Sequence, residues 1–241
     1  MLPCAQFATR SSVKRNLFAL LVALITVAAS PLQLDSQYVL QRYMLAIDTV
    51  VQPKAVIFTY TVSQAGPSTI EQRHVIFRNG ADVRDETLAV DGVPLVRKLV
   101  RFSHREDSYA ILRLAPRTTE YELLFVGTLK DGRHADYLYD ATPLIRTASA
   151  SIDRVTIDGV RYLPRTVYFT TQGPEAKGSA RVQYAAFGKY WMPVAADVDA
   201  VVRGKPARER ITWSDYSFPQ SLPASAFAPP KPLPGSTLPP I

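Results

Sequence analysis

The side chains best suited to acid–base or metal chemistry are few and poorly grouped. There are three histidines, His74, His104 and His134, and none has a second histidine or a cysteine at metal-ligand spacing. No HExxH stretch occurs. The plainer reading is three exposed or hydrogen-bonded strand histidines. A serine nucleophile needs a base and a strained turn, but there is no GxSxG and no SxxK at a helix start. The single cysteine, Cys4, precludes an intrachain disulfide. Acids cluster twice, as Asp82, Asp85 and Glu86 and as Glu106 and Asp107. Such groups can do acid–base work or hold calcium, yet the calcium-loop pattern is missing and the clusters alternate with Arg84 or Arg105. Both read as solvated turn charges. No catalytic residue, metal or cofactor is expected, and so no enzyme.

Aromatic residues are the more informative class. Tyr137, Tyr139, Tyr162, Tyr168, Tyr184, Tyr190, Trp191, Trp213 and Tyr216 all fall on or beside stretches that read as strands. Interleaved basic residues are the pattern of a stacking platform for single-stranded nucleic acid, a partner that the export argument below removes. Core filling is the plainer reading. The sharper one is an apolar surface left partly open to a greasy ligand.

The elements that must position these residues follow from periodicity. Leu40, Met44, Ile47 and Val51 recur at helical spacing, Asp35 or Ser36 can cap the start and Pro53 stops the run, so a helix is expected from about Asp35 to Val51. Beyond it, apolar and polar residues alternate: Val56, Phe58, Tyr60 and Val62; Tyr121, Leu123 and Phe125; Val182, Tyr184 and Ala186; Val198, Ala200 and Val202; Ile211 and Trp213. Period two repeated this often predicts half-buried antiparallel strands. Asn79-Gly80, Asp91-Gly92, Asp131-Gly132 and Asp158-Gly159 are the dipeptides that supply positive φ in tight hairpins, while Gly66-Pro67 and Gly173-Pro174 mark longer turns. There is no βαβ alternation and no repeat period.

The two ends of the chain differ from its body. Arg10, Lys14 and Arg15 precede an almost unbroken apolar run from Leu17 to Ala29, the layout of a secretory signal. Cleavage after Ala29 suits the small-residue rule, and an uncleaved signal anchor is the alternative. Cys4 precedes the apolar run, where no lipoprotein cysteine would lie, and it leaves with the signal. The same segment carries three of the basic residues behind the net charge of +7, and the others form no block. From Pro219 prolines recur at 223, 229, 230, 232, 234, 239 and 240, which rules out regular helix or central strand there.

The final third adds a resemblance. It reads Ser151-Ile-Asp-Arg-Val-Thr-Ile-Asp-Gly-Val-Arg-Tyr-Leu-Pro, then Gly188-Lys-Tyr-Trp-Met-Pro-Val, then Ile211-Thr-Trp-Ser-Asp-Tyr-Ser-Phe-Pro and Leu222-Pro-Ala-Ser-Ala-Phe. This resembles the periplasmic lipoprotein-carrier superfamily, the LolA/LolB-like proteins and their outer-membrane lipoprotein-sorting relatives. A W-x-P strand matches Trp191 and Pro193, a Y-x-F/P strand matches Tyr216, Phe218 and Pro219, and the closing motif matches Leu222, Pro223 and Phe227. The resemblance implies an incomplete β-barrel around helices, an apolar cavity for acyl chains and no catalysis. Two departures stand out: one clear helix where the carriers have more, although Ser221 to Phe227 can add a turn, and no lipidation cysteine after the signal.

The expectation is therefore an α+β chain, mostly antiparallel β, forming a strongly curved sheet or incomplete barrel with the N-terminal amphipathic helix on its concave face. It has a signal at 1–29, one domain at 30–228 and a proline-rich tail at 229–241. The expected function is a non-catalytic carrier exported to the periplasm, binding lipid or a lipoprotein acyl chain against Leu40, Met44, Ile47, Trp191 and Trp213. An envelope protein-interaction or sensor module is the alternative, and an envelope-modifying enzyme stands third. Envelope proteins and an anionic membrane surface are further candidate partners, nucleic acid is not, and the chain is expected to be a monomer.

Overall fold

The computed structural model describes residues 31–228, apart from 67–68, 132–133, 146–149, 173–175 and 203. The expected signal, the proline-rich tail and the Gly173-Pro174 turn lie outside the described residues, as do Pro67 and Gly132 of two other predicted turns. Helix α1 (Pro31–Thr49) is followed by eleven strands. These are β1 (Ala55–Ala65), β2 (Ile70–Asn79), β3 (Asp82–Val90), β4 (Val93–His104), β5 (Tyr121–Asp131), β6 (His134–Pro143), β7 (Ala150–Ile157), β8 (Pro164–Gln172), β9 (Ala176–Phe187), β10 (Tyr190–Val202) and β11 (Lys205–Ser217). A one-turn helix, α2 (Ile111–Leu114), interrupts the β4–β5 connection, and a 3-10 turn (Ala224–Phe227) follows β11. Among the described residues no helix is long and apolar enough to cross a membrane. The chain divides between Arg42 and Tyr43, inside α1.

All eleven strands form one open sheet in the order β4-β3-β2-β1-β11-β10-β9-β8-β7-β6-β5. Every neighbouring pair is antiparallel. The chain steps outward from β1 to the edge strand β4, crosses to the opposite edge at β5, and steps back to β11 beside β1. Because cross-strand partners share a face, the register tests the predicted alternation directly. One row runs Val62, Ile211, Ala196, Val182, Val167, Val155, Tyr139 and Phe125, each paired with the next. Its six inner members are buried. A neighbouring row runs Arg210, Asp197, Arg181, Tyr168, Arg154 and Asp140. It points the other way and carries ion pairs, Arg181 to Asp197 at 2.9 Å and Arg154 to Asp140 at 2.7 Å. One face is dry and the other wet, as period two requires. The exposed pairs on the wet face contribute little stability.

Differences from expectation have local causes. The helix begins at Pro31, earlier than Asp35, and ends at Thr49, whose hydroxyl donates back to the Leu45 carbonyl at 2.7 Å. Val51 falls beyond the helix and is exposed. The fully buried positions are Val39, Tyr43 and Ile47, four residues apart. The Asp91-Gly92 hairpin has positive φ at both residues, 51° and 75°, as its turn type demands. Asp158-Gly159 does not: the left-handed residue there is Tyr162, at 56°. Asp158 instead organises a longer loop. Its carboxylate accepts the Val160 and Arg161 amides at 3.1 and 2.7 Å, and its own amide donates to the Leu163 carbonyl at 2.9 Å.

Candidate functional site

The dry face needs a cover, and the β4–β5 connection supplies part of it. Tyr109 sets its ring against Trp213 of β11, edge to face, with centroids 4.9 Å apart. The Tyr109 carbonyl accepts the Tyr184 hydroxyl of β9 at 3.0 Å. Ile111 of α2 is buried, and so are Ala115 and Pro116 just after it. Tyr43 of α1 donates to the Pro116 carbonyl at 2.8 Å, and Asp48 accepts from Arg117 at 2.7 Å. These two bonds tie the C-terminal end of α1 to the crossing segment.

Of the residues expected to line a ligand cavity, Ile47, Trp191 and Trp213 are buried, while Leu40 and Met44 are half-buried. The tryptophans have different neighbours. Trp213 meets Tyr109, whereas the Trp191 indole donates to the Pro164 carbonyl at 2.7 Å and lies beneath the Arg161 guanidinium. The W-x-P and Y-x-F/P motifs meet in space, since the Tyr216 hydroxyl donates to the Pro193 carbonyl at 2.7 Å. Pro193 has no amide to give and sits at a register shift in β10, a position where proline does least harm. Tyr216 also packs against Phe58 and Phe187, with centroids 5.4 and 4.7 Å away. These motif residues latch β10 to β11.

Of the acidic cluster, Asp82 is exposed beside the Asn79-Gly80 hairpin, as a solvated turn charge would be, whereas Asp85 is half-buried and Glu86 buried. All three lie in β3, and Glu86 is only 3% exposed, held by Arg84 and by Lys98 of β4 at 2.9 Å. Asp85 lies 2.8 Å from Nδ1 of the buried His74 on β2. A carboxylate only accepts, so Nδ1 carries the proton. The other Asp85 oxygen accepts the Tyr60 hydroxyl at 3.1 Å, and the Tyr60 ring stacks on His74 at 4.6 Å. This Tyr60–Asp85–His74 group satisfies itself across three strands. His104 is exposed beside Asp82, at 2.9 Å, and His134 is exposed on β6. Among the described residues no three His, Cys, Asp or Glu side chains are placed to share a metal ion.

The phenols of the dry face are held neutral. Burial raises Tyr184 and Tyr216 well above the ordinary phenol range, and the Asp107 carboxylate adds to it. Burial likewise raises Tyr109, with Glu209 and Asp107 adding, and raises Tyr60, with Asp85 adding. In Tyr43 burial outweighs the opposing Arg117. A group with a raised folded-state pKa stabilises the fold below its unfolded pKa and loses that contribution as pH rises. Stability should therefore fall steeply above about pH 10. In an ultraviolet titration these five phenols should ionise together with unfolding, and early ionisation in the folded protein would contradict the packing described.

No family profile matches the chain, and no curated protein does. Solved structures do show likeness. A LolA superfamily protein from Nitrosomonas europaea is 11% identical, covers 78% of this chain and 97% of its own, and has a TM-score of 0.43. An outer membrane lipoprotein-sorting protein domain from Vibrio parahaemolyticus is 14% identical, with coverages of 78% and 95% and a TM-score of 0.43. The chain is similar to LolA-superfamily structures. A DUF1329 family protein from Desulfovibrio piger is also similar, at 13% identity, coverages of 78% and 96%, and a TM-score of 0.41.

Proposed function

We propose that the protein is an exported, non-catalytic carrier whose single domain, residues 30–228, takes a lipid or lipoprotein acyl chain onto the dry face of its sheet. The ligand-lining residues of this reading are Leu40, Met44, Ile47, Trp191 and Trp213. The observation that carries it is the cover over Trp213. Tyr109 belongs to a connection and pairs with no strand, so it can lift without breaking a ladder hydrogen bond. Lifting costs the ring contact, the Tyr184 bond to the Tyr109 carbonyl and the bond from the Tyr109 amide to Asp107 at 2.9 Å. An acyl chain that takes its place gains about 0.8 kcal/mol per buried methylene, so six methylenes supply about 5 kcal/mol. Carriage of this kind needs no nucleophile, metal or cofactor.

A second reading, an envelope protein-interaction or sensor module, is favoured by how full the interior is. Tyr43 and Tyr139 are wholly buried, and the hydroxyls of Tyr43, Tyr184 and Tyr216 already have partners. The two readings part on one experiment. A brominated fatty acid should quench Trp213 saturably in a Trp191→Phe background if the chain is a carrier, and should leave it unchanged if the interior stays closed.

A further inference from the structure

We propose, on the footing of the carrier reading, that the ligand is an anionic amphiphile: Arg101 and Arg105, at the β2–β4 end of the dry face, hold its carboxylate or phosphate head while its acyl chain reaches Trp213. The register brings the arginines together. Phe58, Ile76, Asp85 and Arg101 pair in turn from β1 to β4, and Arg78 pairs with Val83 in the next row of the same face. Arg105 follows β4, and Nη1 of Arg78 donates to its carbonyl at 2.9 Å. On the other side of the Arg101 row lies the one that contains Trp213, Tyr60 and His74.

These charges are in excess. Arg101 and Arg105 are exposed, and among the described residues neither makes an ion pair. The nearby carboxylates are engaged elsewhere. Asp85 accepts from His74 and Tyr60, one on each oxygen, Glu106 is held by Arg113 at 3.2 Å, and Glu209 accepts from Gln64 at 2.6 Å. Burial works against the Arg78 charge and Asp107 supports it, while Asp107 also accepts the Tyr109 amide. Even so, Nε of Arg78 is buried without an acceptor, so this end of the face is short of negative oxygen. No acid outside the described residues falls on β1–β4 or between 105 and 109. Burial and then Asp85 raise the Tyr60 phenol, and Arg105 and Arg101 oppose them. At Tyr109 burial is again opposed by Arg105, so both cations project over the dry face. An anionic head between two guanidiniums gains charge-assisted hydrogen bonds that a neutral head lacks. β4 lies four strand spacings from β11, about 19 Å along the sheet, so a chain headed there points its methyl end at Trp213.

The test compares a brominated fatty acid with its methyl ester, at about pH 8, where the carboxyl is ionised, by quenching of Trp213 in a Trp191→Phe background. The acid should bind about fivefold more tightly than the ester. Bromine near the methyl end should quench more than bromine beside the carboxyl. Arg101→Gln and Arg105→Gln, at exposed side chains, should each cut the acid's advantage about twofold, and the double variant should abolish it. Salt at about 1 M should shrink it as well. Millimolar inorganic phosphate at constant ionic strength should leave the acid's curve unmoved. Saturable quenching that is equal for acid and ester, indifferent to both arginines, or strongest with bromine beside the carboxyl would overturn the proposal and leave the carrier reading standing. Displacement by phosphate would overturn it too, by making the arginines a site for the free anion. Quenching by neither ligand would remove the carrier reading, and the proposal with it.

Discussion

Replacing Arg165 by methionine should lower the stability of the fold by about 3 kcal/mol at neutral pH. Arg165 joins two carboxylates that have almost no contact with water. Its Nε lies 2.9 Å from Asp136 Oδ2 on β6, and its Nη2 donates to Asp158 Oδ2 at 2.8 Å in the β7–β8 loop. Asp136 and Asp158 are 4% and 5% exposed. Methionine fills similar volume but leaves both charges without their cation, and an uncompensated buried charge is among the costliest lesions a fold can carry. The guanidinium is itself about one-third exposed, which places the loss at the lower end of the usual range.

The pH dependence distinguishes this cause from lost packing. Burial pushes the Asp158 carboxyl up, but the Arg161 amide, the Arg165 side chain and the Val160 amide together outweigh it and hold it below the ordinary carboxylate range. A depressed folded-state pKa contributes stability above the unfolded value and loses it as pH falls through the folded one. The deficit of Arg165→Met should therefore be full at pH 7 and shrink as the medium becomes acid enough to protonate both carboxyls. Urea unfolding at several pH values measures it. A deficit that stays constant with pH would assign the loss to packing alone.

Gly159→Ala should cost about 3 kcal/mol or more, for a different reason. A Cβ at Gly159 would overlap the Ala135 carbonyl oxygen of β6 and reach to 3.4 Å from the Tyr137 ring. The obstacle is backbone, which cannot swing aside as the tip of a lysine would. Gly92→Ala is the control. Gly92 has φ of 75° but nothing within 4 Å of its Cβ direction, so only the strain of the left-handed backbone is added, about 1–2 kcal/mol. Thermal or urea unfolding of the two variants should rank Gly159→Ala well below Gly92→Ala. The reverse order would mean that the β7–β8 loop does not lie against β6 as described.

Both lesions sit on features that were hard to read along the chain. Asp158-Gly159 looks like a hairpin dipeptide, and only the distant Ala135 backbone shows that the glycine serves close approach rather than positive φ. Asp85 and Glu86 look like turn charges because their partners His74 and Lys98 come from other strands. Tyr109 gave no periodic signal, since its role depends on a connection crossing from one sheet edge to the other. What was legible is what period two and period 3.6 encode. The alternation of Val182, Tyr184 and Ile211 anticipated one buried face, and the apolar spacing around Tyr43 and Ile47 anticipated a helix. Register shifts, such as that between Pro193 and Ala195, leave no trace in composition.

The most direct test of the carrier reading uses Trp213, since Trp191 is the only other tryptophan in the chain. In a Trp191→Phe background, a fatty acid brominated along its chain is titrated into delipidated protein while Trp213 emission is followed. The account predicts saturable quenching, because the acyl chain displaces Tyr109 and brings bromine against the indole, and predicts that Tyr109→Ala reaches the same endpoint at lower concentration. Emission that stays unquenched with every chain length, in both the parent and Tyr109→Ala proteins, would contradict the account and leave the dry face as a closed core.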